Sequence, residues 1–165
     1  MEKNNNISEI LANDVRTQYQ TLFKTIKRIA EVFPGSRWRE PHGDEYYIPC
    51  RIAYHLAVDI DDMIAGSFGD NDPYGNWVEA KAEEFPDKSE FLTYFDSVIE
   101  RAEKALSSLD DESLMSPLES RWAWYWTGAS QMILHLYIMR ELSHHIGELN
   151  KMLIENGVSD VWIAR

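Results

Sequence analysis

One cysteine in 165 residues excludes an internal disulfide and any thiolate-rich zinc site, so a metal ion here would have to be held by imidazole and carboxylate. That residue, Cys50, reads as a small buried hydrophobe rather than a nucleophile. Basic side chains are scarce as well: 16 Lys and Arg stand against 28 Asp and Glu, a formal net charge of −12, with no basic cluster to offset it. Such a chain repels the phosphate backbone that dominates nucleic-acid affinity and repels anionic lipid in the same way, so neither nucleic acid nor membrane is an expected partner. No apolar run approaches the ~20 residues of a bilayer span. The opening MEKNNNISEI has neither the basic nor the apolar region of a secretory signal, and the NNN within it reads as a frayed lead-in. A cytoplasmic location is expected. Strand-like alternation and internal repeats are missing too, and Ser130 and Ser143 lack the surroundings of an activated serine nucleophile.

The chain has 44% apolar residues, arranged mostly at helical spacing. One domain over residues 1–165 is the simplest organisation for this length. A first helix is predicted from Ile7 to Phe33 and is ended by Pro34–Gly35–Ser36. Pro49 suits the first turn of a second helix with Ile52, Leu56, Ile60, Met63 and Ile64 as its buried stripe, closed by the segment Gly66 to Asn76. Trp77 to Phe85 has room for one short helical turn. Asp87 or Ser89 caps a third helix that carries Phe91, Phe95, Val98, Ala102 and Leu106. The run SSLDDESLMSPLES reads as a loop, and the last helix spans about Gly128 to Asn156 with Gly157 as its left-handed stop. The predicted fold is all-α, a four-helix bundle with long connections between helices two and three and between helices three and four.

The chemistry concentrates in two stretches. Around MRELSHHIGELN, projection at about 100° per residue places His145 inside the edge of the apolar arc. Glu141 and Glu148 lie on that same flank, and His144 on the polar side. In RIAYHLAVDIDD, His55 lies just past the edge of its own arc, with Asp59 and Asp62 along that flank. If the two helices are neighbours, His55, Glu141 and His145 meet at a seam as two imidazoles and one carboxylate with coordination positions to spare. Asp59 is placed to orient His55. On their own, Asp59 and Asp62 read as solvated-face residues. His135 falls in the middle of the arc and reads as a hydrogen-bonded core histidine, and His42 reads as an exposed loop residue. Trp122, Trp124 and Trp126 either pack over the bundle end or wall an apolar pocket, with Trp38 and Trp77 as further candidates.

The run IPCRIAYHLAVDIDDMIAG, followed by ELSHHIGELN, resembles the DinB-like (YfiT-like) superfamily of small four-helix bundles. The resemblance implies a three-histidine metal site and carries over to His55 and His145, with Gly147 in the expected place. It departs from the pattern at Glu141, where a His is usual, and at Glu148, where Gln is common. It further implies a metal-dependent hydrolase or a low-molecular-weight-thiol transferase acting on a small molecule. A divalent ion (Zn, Ni, Mn or Fe) is the expected cofactor, with His55, Glu141 and His145 as ligands, Glu148 as acid or base, and a homodimer as the assembly. The alternative is a non-catalytic dimeric helical binding module that has kept the shape.

Overall fold

The computed structural model describes residues 9–44, 46–73, 80–119 and 121–162. It contains four long helices, α1 (Ile10–Val32), α2 (Pro49–Met63), α3 (Lys88–Ser107) and α5 (Gln131–Glu155), and a short α4 (Asp111–Met115). No strand occurs among the described residues. The start predicted at Ile7, the NNN lead-in and Trp77 lie outside the described residues.

Each long helix packs on two others, in the order α1, α3, α2, α5 and back to α1. Side-chain bridges give the directions. Lys88 at the start of α3 reaches the carbonyls at the end of α1, whereas Arg16 near the start of α1 reaches Leu106 at the end of α3 and Leu109 just beyond it. These two helices are antiparallel. Asp61 near the end of α2 meets Arg101 near the end of α3, so that pair is parallel. A parallel pair cannot be joined by a tight turn, which explains the long connection after Met63. The wall is sealed by Phe91 stacked on Phe95 at 5.5 Å and by Trp38 set between Phe33 and Phe91. Trp38 is therefore a core residue rather than a pocket wall; its Nε1 donates to the Pro86 carbonyl at 3.2 Å.

Local signals explain the helix ends. Asp87, not Ser89, caps α3: its Oδ1 accepts from the Glu90 N–H while Glu90 accepts from the Asp87 N–H, both at 2.9 Å. Gly157, with φ 76°, ends α5 in a left-handed turn in which its N–H bonds to Ile154 and that of Val158 to Leu153. α5 begins at Gln131 rather than near Gly128, because Gly128 takes φ 79° and Ser130 is extended. The predicted loop after Ser107 contains α4. There Asp110 accepts from the Ser113 N–H at 2.7 Å, and Leu114 is wholly buried, so one cap and one apolar anchor hold a helix that composition alone assigns to loop. The turn expected before Phe85 is a 3-10 turn at Ala82–Glu84. His135 is a core residue as predicted, its Nδ1 lying 3.0 Å from the Tyr19 hydroxyl.

Candidate metal centre

α2 and α5 are direct neighbours. One histidine from each helix lies at the seam between them: the His55 and His145 rings meet edge to face, centroids 5.0 Å apart, at 83° between planes. His145 is buried and His55 nearly so. Burial pushes the His55 imidazolium down to about 4, with His145 adding to the shift and the Glu141 charge opposing it. At neutral pH His55 is therefore a neutral imidazole, the form that offers a lone pair to a metal.

Glu148 closes on His145 from one turn ahead, its Oε2 2.6 Å from Nδ1. When Nδ1 carries the proton in this pair, Nε2 is left as the ligand nitrogen, the arrangement by which a carboxylate orients a metal-binding histidine. The same carboxylate faces His144, whose Nε2 lies 3.3 Å from Oε1. His144, His145 and Glu148 thus form a compact donor group, with one ligand atom from each within 4.8 Å of the others. His144 is exposed, as its projection expects. Its reach to Glu148 was missed, although the i, i+4 spacing carries the signal.

Glu141 takes a different partner. Its Oε1 accepts two bonds from the Arg140 guanidinium, at 2.6 and 3.2 Å, so its charge is felt at His55 while its oxygen is turned to Arg140. Asp59 lies 3.5 Å from His55 Nε2, Oδ2 to nitrogen, and is buried rather than solvated. Asp62 is buried too, against Arg121. Both depart from the solvated-face expectation: Arg121, from outside α2, covers Asp62, and Asp59 lies against the His55 ring one turn back on its own helix. Of the tryptophans, Trp126 is half-buried and packs on Tyr137 with ring centroids 4.9 Å apart and planes tilted by 59°, and Tyr137 feels both Glu141 and Asp59, which puts this pair on one flank of the seam. Trp122 is half-buried under Arg121 and Trp124 is largely exposed against Tyr125, in a chain of turns rather than a strand. The loop before α2 forms the other flank. His42 is tied to α5 through Glu155 and Asn156, not exposed, and together with Tyr47 and Glu148 it lines a pocket of about 180 Å³.

The donor set suits a divalent ion. Two imidazoles from separate helices, one held neutral by burial and the other oriented by the Glu148 carboxylate, lie together with Asp59 beside His55, while Glu141 is near enough for its charge to act on His55 but bonds to Arg140. No helix among the described residues is long and apolar enough to cross a membrane.

No protein-family model matches the sequence, and no curated protein matches it. Among solved structures, a DinB-like protein from Bacillus cereus superposes with a TM-score of 0.68 at 12% identity, covering 92% of this chain and 97% of that one. An identity that low carries the shape and not the chemistry. The chain has the DinB-like fold, and on α5 of that fold His144, His145 and Glu148 form a His/Glu cluster able to hold a metal ion.

Proposed function

We propose that the seam binds one divalent ion through His55 and His145 with Glu141 as carboxylate ligand, and that the protein is a metal-dependent enzyme acting on a small molecule. Hydrolysis and transfer of a low-molecular-weight thiol are the two reactions this reading admits. The observation that carries it is the 5.0 Å edge-to-face approach of two buried or nearly buried imidazoles from different helices. A core built for stability alone has no use for two desolvated imidazoles side by side. A divalent ion bound there would make a coordinated water or thiol a nucleophile near neutral pH, and zinc, nickel, manganese and iron(II) all accept this donor set.

The protein's own groups have separate tasks in this reading. Glu148 orients His145 and, at its second oxygen, is placed to hold or release a proton. Asp59 steadies His55. Trp126 and Tyr137 exclude water from one flank, and the loop bearing His42 and Tyr47 limits the size of what enters from the other. Two such chains forming a homodimer in the cytoplasm complete the proposal.

One observation favours the alternative, a non-catalytic dimeric binding module: Arg140 already occupies a Glu141 oxygen. Plasma mass spectrometry on tag-free protein separates the two, run beside His55→Ala and His145→Ala with folding checked by circular dichroism. The enzyme reading expects about one ion per chain, lost in both folded variants. Absence of bound metal after reconstitution with zinc, nickel, manganese and iron(II) would leave the module.

A further inference from the structure

Arg51 is a cation where folding energetics alone would not place one. It is the third residue of α2 and is 6% exposed, at the helix end whose free N–H groups and dipole already make the surroundings positive. No acidic residue stands in that first turn and no side chain caps it. Buried charges are normally matched by opposite ones. Among the described residues no carboxylate pairs with Arg51; Nη2 donates to the Ala80 carbonyl at 2.5 Å, and Nε is buried without an acceptor. The guanidinium carbon lies 5.7 Å from the ring centroid of Tyr46 and 5.6 Å from that of Phe85. Two rings and a carbonyl fix a guanidinium in position without neutralising it.

Its position relative to the metal centre adds meaning. Arg51 precedes His55 by four residues, about 6 Å along α2 and on the same side of the helix. Tyr46 has its hydroxyl pushed up by burial and then by the charge of Glu148, so Tyr46 touches Arg51 on one side and senses the candidate centre on the other. Tyr46 is itself exposed, which puts the guanidinium one ring beneath the surface there.

We propose that Arg51 anchors an oxyanion of the small-molecule ligand, a carboxylate or a phosphate, about one helical turn from the His55–His145 pair. The substrate class is thereby an anionic small molecule whose charged group lies one turn from its reacting atom. That description of the substrate rests on the metalloenzyme reading, whereas binding of the anion does not.

Calorimetric titration of succinate and, separately, of inorganic phosphate tests this at low ionic strength. The proteins are wild type, Arg51→Met and Arg51→Lys, each as purified and after chelation, with melting temperatures recorded. Wild type is expected to bind at least one anion saturably with or without metal. Affinity falls at least about tenfold in Arg51→Met and several-fold in Arg51→Lys, which keeps the charge and loses the forked donors. Arg51→Met is expected to melt at or above wild type, since an unmatched buried charge has been removed. A preference for succinate assigns a carboxylate, and one for phosphate assigns a phosphoryl group. Should Arg51→Met fail to fold, wild type and Arg51→Lys still decide. The proposal is overturned if wild type binds neither anion, if binding vanishes on chelation, or if Arg51→Lys binds as wild type does. A failure of the metal reading alone leaves binding to the chelated protein intact.

Discussion

Arg101 on α3 grips Asp61 on α2 through two parallel hydrogen bonds, Nε to Oδ1 at 2.8 Å and Nη2 to Oδ2 at 2.7 Å. Ser67 and the Tyr94 hydroxyl donate to the same carboxylate. Asp61 is 3% exposed, so it depends on these donors. Burial alone would raise its carboxyl, yet Arg101, Ser67 and Tyr94 together hold it below the ordinary range. Breaking a fully buried pair costs roughly 3–5 kcal/mol. Arg101 is 41% exposed, and screening brings the expected loss for Arg101→Met to about 2 kcal/mol by urea denaturation. Because the folded pKa is depressed, this contribution is complete above about pH 4 and is lost on further acidification. A variant within about 0.5 kcal/mol of wild type would show that the clamp contributes little.

The pairing of Glu141 with Arg140 makes a directional prediction about metal affinity. If Glu141 is a ligand, Arg140 competes for its oxygen, and Arg140→Ala is expected to tighten metal binding several-fold while Glu141→Ala weakens it. Glu148→Gln removes the charged partner of His145 and is expected to cost about 10- to 100-fold in affinity, the usual effect of disturbing a residue that orients a ligand. Competition against a chromogenic chelator measures all three. Weaker binding in Arg140→Ala would mean that Glu141 does not ligate and that Arg140 holds it for some other purpose.

Much of the bundle is legible because helical periodicity reports burial directly: Ile52, Leu56 and Ile60 on α2 and Ile138, Leu142 and Leu149 on α5 are all core residues. The edges of those arcs also pick out His55 and His145, and the structure puts their rings together. What periodicity cannot see is a partner far away in the chain. Asp61 is held by a residue 40 positions on and Asp62 by one 59 positions on, so Asp62 reads as solvated in sequence and is buried in fact, and nothing near Asp61 in the chain announces its clamp. The turn of Glu141 toward Arg140 is equally hidden, since it depends on which rotamer an adjacent side chain adopts. α4 escaped for another reason: five residues are too few for a periodic signal, and their helix rests on the Asp110 cap and on Leu114. The departures at Glu141 and Glu148 are plain in sequence, but their consequences are not. One carboxylate faces an arginine and the other two histidines.

Cys50 is 1% exposed, and burial pushes its thiol up to about 11, with Arg39 pulling weakly the other way. A thiol that is neither ionised nor accessible reacts slowly. Ellman's reagent at pH 8 is expected to label less than about a tenth of the folded protein in the time that fully labels the protein in guanidinium. Rapid stoichiometric labelling of the folded protein would mean that Cys50 opens to solvent and would return it to the candidate nucleophiles.

His135 on α5 gives the bundle a pH dependence whose sign follows from its burial. The Tyr19 hydroxyl on α1 lies 3.0 Å from its Nδ1 and donates to its backbone carbonyl at 3.3 Å. Burial pushes the imidazolium down to about 4, whereas an unfolded histidine titrates near ~6.5. Between these values the unfolded chain takes up a proton that the folded chain refuses. Stability is therefore complete above about pH 6.5 and declines as the pH falls toward 4, by a total of about 3 kcal/mol from this residue. Other groups titrate in the same range, so the measurement is a difference: urea midpoints at pH 7.5 and pH 4.5 for wild type and for His135→Gln, which keeps an acceptor near Tyr19 and cannot ionise. The variant is expected to lose stability at pH 7.5 through poorer packing and to recover most of that deficit relative to wild type at pH 4.5. A deficit equal at both pH values would mean that the folded protein accommodates the charged ring, and that the Tyr19–His135 contact is a packing element without proton linkage.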